Sequence, residues 1–63
     1  MTATATFKNP EQAREFARAW AKETDKGMMI STANEKGEVT ATAYSIDEYG
    51  REWISAYVKE LNK

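Results

Sequence analysis

The sequence predicts an α+β fold of β-α-β-β-α order, with a three-stranded, mostly antiparallel sheet in strand order 1-3-2 and two helices packed on one face. Three observations predict it. Residues 2–7 (TATATF) and 38–44 (EVTATAY) alternate small or apolar side chains with threonine, the period of a half-buried strand. Two longer stretches place apolar residues at helical spacing behind a capping residue. Between the second and third strand runs, Asn34-Glu35-Lys36-Gly37 has the chemistry of a short hairpin turn.

In the first strand Ala3, Ala5 and Phe7 share one face and Thr2, Thr4 and Thr6 the other. Asn9 then supplies an N-cap, Pro10 a preset first helical φ, and Gln12 stands at the reaching position of a capping box. At 100° per residue Ala13, Phe16, Ala17, Trp20 and Ala21 fall on one arc of this first helix, opposite Glu11, Arg14, Glu15, Arg18 and Lys22. Gly27 is the expected left-handed terminator.

The turn sets a register for the hairpin that follows. Asn34 is expected opposite Glu38, Ala33 opposite Val39, Ser31 opposite Ala41 and Met29 opposite Ala43 on the face under the helices. Thr32 with Thr40, Ile30 with Thr42 and Met28 with Tyr44 then point the other way. Ser45-Ile46-Asp47-Glu48 matches a capping box, with Tyr44 and Tyr49 as a staple. From there Ile46, Tyr49, Gly50, Trp53, Ile54, Tyr57, Val58 and Leu61 form one apolar stripe, in which Gly50 is expected to admit a close backbone or an aromatic ring. A first helix linking two strands crosses over right-handed, so the first and second strands run in the same direction, and antiparallel pairing places the third between them.

Length bounds the organisation. Sixty-three residues suffice for one domain, expected over 1–63, whose small core consumes most of its apolar side chains. Nine basic and ten acidic residues leave a net charge of −1, which gives no field for steering to nucleic acid or an anionic membrane. There is no cysteine and no histidine, so disulfides, thiolate chemistry and a side chain that titrates near neutrality are absent. No apolar stretch has the length of a signal peptide or a membrane span, and the expectation is a soluble chain, cytoplasmic if natural.

Chemistry-bearing groupings are few, and each has a structural explanation. Glu48 and Glu52, spaced i, i+4, share a helix face opposite the apolar stripe, in water. Ser45 is expected to cap a helix and Ser55 falls on the polar arc, neither with an imidazole to activate it. The basic stripe Arg14, Arg18 and Lys22 is interleaved with Glu11 and Glu15. Each glycine is assigned to a helix end, a bulge or a helix contact, none to a phosphate loop. The expectation is therefore no enzyme, no catalytic, metal or cofactor-binding residue, and no cofactor.

One surface remains. A three-stranded sheet covered on one side leaves Met28, Ile30, Thr32, Thr40, Thr42 and Tyr44 on an open face, a candidate site for a protein partner or a weak homodimer, although no partner is required. Caps, turn residues and charges near helix ends agree with one another along the chain, in which respect it resembles designed βαββα mini-proteins. The leading expectation is an idealised or engineered (de novo-like) scaffold without catalytic function. The alternative is a natural protein-binding module, of the phage inhibitor or regulator type, acting through the open sheet face.

Overall fold

A computed structural model describes residues 1–62; Lys63, the last position of the expected domain, lies outside the described residues. The elements follow the expected order: β1 (Ala3–Phe7), α1 (Pro10–Thr24), β2 (Met29–Ile30), β3 (Val39–Ala43) and α2 (Glu48–Leu61). The strands form one sheet of order β1-β3-β2, with both pairs antiparallel.

β1 and β3 pair over their whole length, Ala3 opposite Ala43, Thr4 opposite Thr42, Ala5 opposite Ala41, Thr6 opposite Thr40 and Phe7 opposite Val39. Alternation then separates the two sides of the sheet. Ala5, Phe7, Val39, Ala41 and Ala43 are buried, while Thr4 and Thr6 are exposed. Onto the buried side pack Ala13, Phe16 and Trp20 of α1, Ile54 of α2 and Ile46 ahead of it, in one cluster. The four alanines in this set matter sterically, because a methyl lets helix and sheet backbones approach while the aromatic rings fill what remains. Phe16 lies with its ring centroid 4.9 Å from Phe7 and 5.0 Å from Tyr57, and Trp20 lies 5.5 Å from Trp53. Full burial of each such ring contributes roughly 1.5–3 kcal/mol.

α1 begins as its sequence implies. Asn9 Oδ1 accepts from the Gln12 N–H at 2.9 Å, and Gln12 Oε1 accepts from the Lys8 N–H at 3.2 Å, one residue upstream of the usual capping-box partner. Its end departs from expectation. Asp25, at φ 58, takes the left-handed position assigned to Gly27, and its N–H donates to the Ala21 carbonyl at 2.7 Å. Aspartate tolerates this region because its short polar side chain bonds locally, and the stop comes early enough to free residues 26–28 for the return to the sheet. Ala21, expected on the inner arc, is exposed in this last turn.

α2 also starts two residues later than the Ser45 capping box implies. Asp47 is the N-cap, its Oδ1 accepting from the Gly50 N–H at 2.8 Å, and Ser45 instead turns the chain at φ 56. The later start leaves Ile46 outside the helix and buried, with its N–H donating to the Met1 carbonyl at 2.9 Å, so the segment before the helix is sewn to the start of the chain. A side effect is that Tyr49, expected on the apolar stripe, is 56% exposed.

Gly50 is buried against Trp20 as the stripe implies: a Cβ placed on it would lie 2.9 Å from Trp20 Cη2. Only a hydrogen in that position lets the indole reach the first turn of α2. That fit has a cost, since Trp20 Nε1 is buried without a hydrogen-bond partner.

Candidate functional site

The hairpin turn forms as read. The Asn34 N–H donates to the Glu38 carbonyl at 3.0 Å, the Gly37 N–H to the Asn34 carbonyl at 2.9 Å, and Asn34 Oδ1 accepts from the Lys36 and Glu38 N–H groups. Gly37 sits at φ 83, the left-handed position of a bulge after a type I turn.

Beyond the turn the expected register fails. The Ser31 N–H donates to the Thr40 carbonyl at 2.9 Å, and Met29 stands opposite Thr42 and Ile30 opposite Ala41, one residue out of step with the turn. Between the two bonded positions Thr32 and Ala33 together face Val39, a bulge that absorbs the extra residue. Ser31 Oγ accepts from the Thr40 N–H at 2.9 Å, standing in for a backbone carbonyl. Hydrophobic pattern explains the slip. The turn-set register would put Ala33, Ser31 and Met29 toward the helices, whereas the bulge puts Ile30 and Met28 there and keeps the favourable turn.

The expected face is therefore redrawn. Met28 packs against the core, and Ile30 shares the helix side with Ala41 but is 40% exposed at the sheet margin. Thr32 lies exposed in the bulge. Thr40 and Thr42 lie on the open side beside Thr6 and Thr4, with Thr6 Oγ1 and Thr40 Oγ1 3.4 Å apart. Met29, assigned to the core by the turn register, joins them at 64% exposure, and Tyr44 just beyond β3 is 59% exposed. Nothing in the sequence except the alternative hydrophobic phase Met28/Ile30 signals Met29.

A concavity of about 230 Å³ lies between the end of α1 and the start of α2, lined by Trp20, Glu23, Thr24, Lys26, Ile46, Asp47 and Tyr49. There the Tyr49 hydroxyl donates to Glu23 Oε1 at 2.5 Å. The hydrogen bond to Glu23 and the negative charge of that carboxylate, with a smaller effect of Asp47, hold the phenol above its ordinary pKa. The bond is a latch between the end of α1 and the start of α2.

Glu48, Glu52, Ser45 and Ser55 are exposed, and no polar or charged residue among those described is buried. Among the described residues no three acidic side chains gather in a metal-binding group, and no helix is long and apolar enough to cross a membrane. No protein-family model, curated protein or solved structure matches the chain.

Proposed function

We propose that the chain is a small non-catalytic binding module, of the inhibitor or regulator kind, that engages a protein through the uncovered sheet face and its β2 margin. One observation carries this reading: apart from the left-handed Asp25 that ends α1, the departures from regular backbone gather along the hairpin and its exit. The bulge at 32–33, the two-residue β2, the exposed Met29 and Tyr44 and the left-handed Ser45 all lie along the hairpin and its exit. Proteins break local rules chiefly where they work, and the apolar side chains left in water there are of a kind that contacts a partner. Two strands of five residues and one of two offer a face of at most about 14 Å by 17 Å, so a partner must extend its contact onto Ile30 and the β2 margin.

The test is a paired capture. Immobilised wild type and a Met29→Thr/Tyr44→Ser variant are exposed to the same protein mixture, after their melting temperatures have been matched. The reading expects a protein retained by the first and lost by the second; identical retention removes it. An engineered scaffold with no partner is the second reading, favoured by side-chain caps at the starts of both helices. It expects unfolding well above the roughly 45–65 °C of ordinary domains and no selective retention.

A further inference from the structure

We infer that the outer edge of β1 is a docking edge for a second copy of this chain, the two β1 strands pairing antiparallel about Ala5. The directions of the backbone groups lead to this. Thr40 turns its N–H and carbonyl toward Ser31, so by alternation Val39, Ala41 and Ala43 turn theirs toward β1, and their partners Phe7, Ala5 and Ala3 answer them. Thr4 and Thr6 are left directing their N–H and carbonyl groups away from the sheet, at an edge where no hydrogen bond is recorded to them among the described residues.

What fits that edge is already visible inside the molecule. The strand bonded to the other side of β1 is β3, whose alternation of threonine and alanine over residues 40–43 repeats that of residues 3–6, and the two meet antiparallel with threonine on threonine and alanine on alanine. A second β1 reproduces the same match: Thr4 opposite Thr6, Ala5 opposite Ala5 and Thr6 opposite Thr4, each Thr pair exchanging both backbone hydrogen bonds. The threonine face then runs unbroken across the four central strands.

The two edges of the sheet differ in how they are guarded. β2 is two residues long and bulged, both devices that blunt an edge. β1 runs without a bulge over five residues, and residues 1–7 contain no charged side chain, proline or glycine. α2 lies over β1 on the covered side, with Trp53 and Tyr57 turned to α1. Helical spacing turns Arg51, Ser55 and Val58 to the opposite flank, where the small Ser55 and the half-buried Val58 leave room for the second α2 and the exposed Arg51 must swing aside into solvent. An edge contact of this kind is smaller than the roughly 800 Å² per partner of a standard interface, so the dimer forms and dissociates with concentration.

Sedimentation equilibrium from micromolar to millimolar concentration tests this. The wild type is expected to rise from the mass of one chain toward twice that mass, and constancy at one mass overturns the inference. Thr4→Lys/Thr6→Lys places like charges opposite each other across the pair, on exposed side chains the fold does not need, and is expected to remain a single chain. The Thr4→Glu/Thr6→Glu variant is expected to do the same alone, and an equimolar mixture of the two to regain the double mass; failure of the mixture to do so overturns the pairing. A synthetic chain with Thr6 N-methylated removes one outward donor without touching any side chain. Its circular dichroism is expected to match the wild type while association is lost, and unchanged association places the contact elsewhere. Met29→Thr leaves the association intact on this inference, which separates it from the reading of the open face.

Discussion

β3 is paired on both sides, and its two neighbours fare differently. With β1 it forms an unbroken five-residue ladder in which every residue meets its own kind or a comparable one. With β2 it holds two residues, after a bulge and with a serine hydroxyl substituting for a carbonyl. The sequences are similarly suited to strands, so propensity does not separate them. Cover does: α1 lies over β1 and β3, and α2 over β1, while β2 forms the margin beyond them. Where one face of a strand is buried, a slip of register would turn its alanines and phenylalanine into water; where the face is barely covered, that penalty shrinks and a bulge becomes tolerable.

The comparison breaks first, and hardest, at the closely fitted side. Gly50→Leu drives a side chain into Trp20, which already stands 2.9 Å from where a Cβ would be, and urea denaturation is expected to show a loss of more than about 2 kcal/mol. Even Gly50→Ala should destabilise, against the usual gain in helix propensity; a neutral result would mean that the indole has slack to retreat.

Next comes the junction from β3 to α2. Asp47→Ala removes the acceptor for the Gly50 N–H and is expected to cost about 1 kcal/mol, the size of a lost N-cap. Ser45→Ala should cost much less, and Ser45→Gly should stabilise by up to about 1 kcal/mol because glycine takes φ 56 without penalty. If Ser45→Ala proved the costlier of the two alanine changes, the helix would start two residues earlier.

On the loosely covered side, Ile30→Thr is expected to cost under about 1 kcal/mol in thermal or urea unfolding, since the side chain is already 40% exposed. A loss of 2 kcal/mol or more would place Ile30 in the core and erase the contrast between the margins.

The smallest effect concerns the Tyr49–Glu23 latch. Because the folded pKa of Tyr49 lies above its ordinary value, the latch contributes stability that is fully present below about pH 10 and is lost as the pH rises through the folded pKa. Tyr49→Phe is expected to lower stability slightly and evenly through the neutral range and to flatten that alkaline part of the profile, measured by urea titration across pH.

Residues 1–24 and the strand at 39–43 were legible because their periodicity and caps act locally: Asn9, Pro10, alternating Thr and Ala, and the arc through Phe16 and Trp20 each specify their surroundings within a few residues. The same holds for the 34–37 turn, and for Gly50, whose place in the stripe announced a close neighbour. The strand order 1-3-2 also followed, from crossover handedness and the preference for antiparallel pairs. Three choices were left to the tertiary structure, each a contest between two acceptable local solutions. Two capping residues competed at the start of α2, and Asp47 prevailed where Ile46 could be buried and bonded to Met1. Asp25 and Gly27 competed to end α1, and the earlier stop goes with the return path to the sheet. At the hairpin, turn chemistry and hydrophobic phase asked for registers one residue apart, and the bulge satisfied both, exchanging Met28 and Ile30 for Met29 on the open face. Local rules rank such alternatives within about 1 kcal/mol of one another, and burying an isoleucine or seating an indole is worth more than that; the winner is set by contacts between residues far apart in the chain.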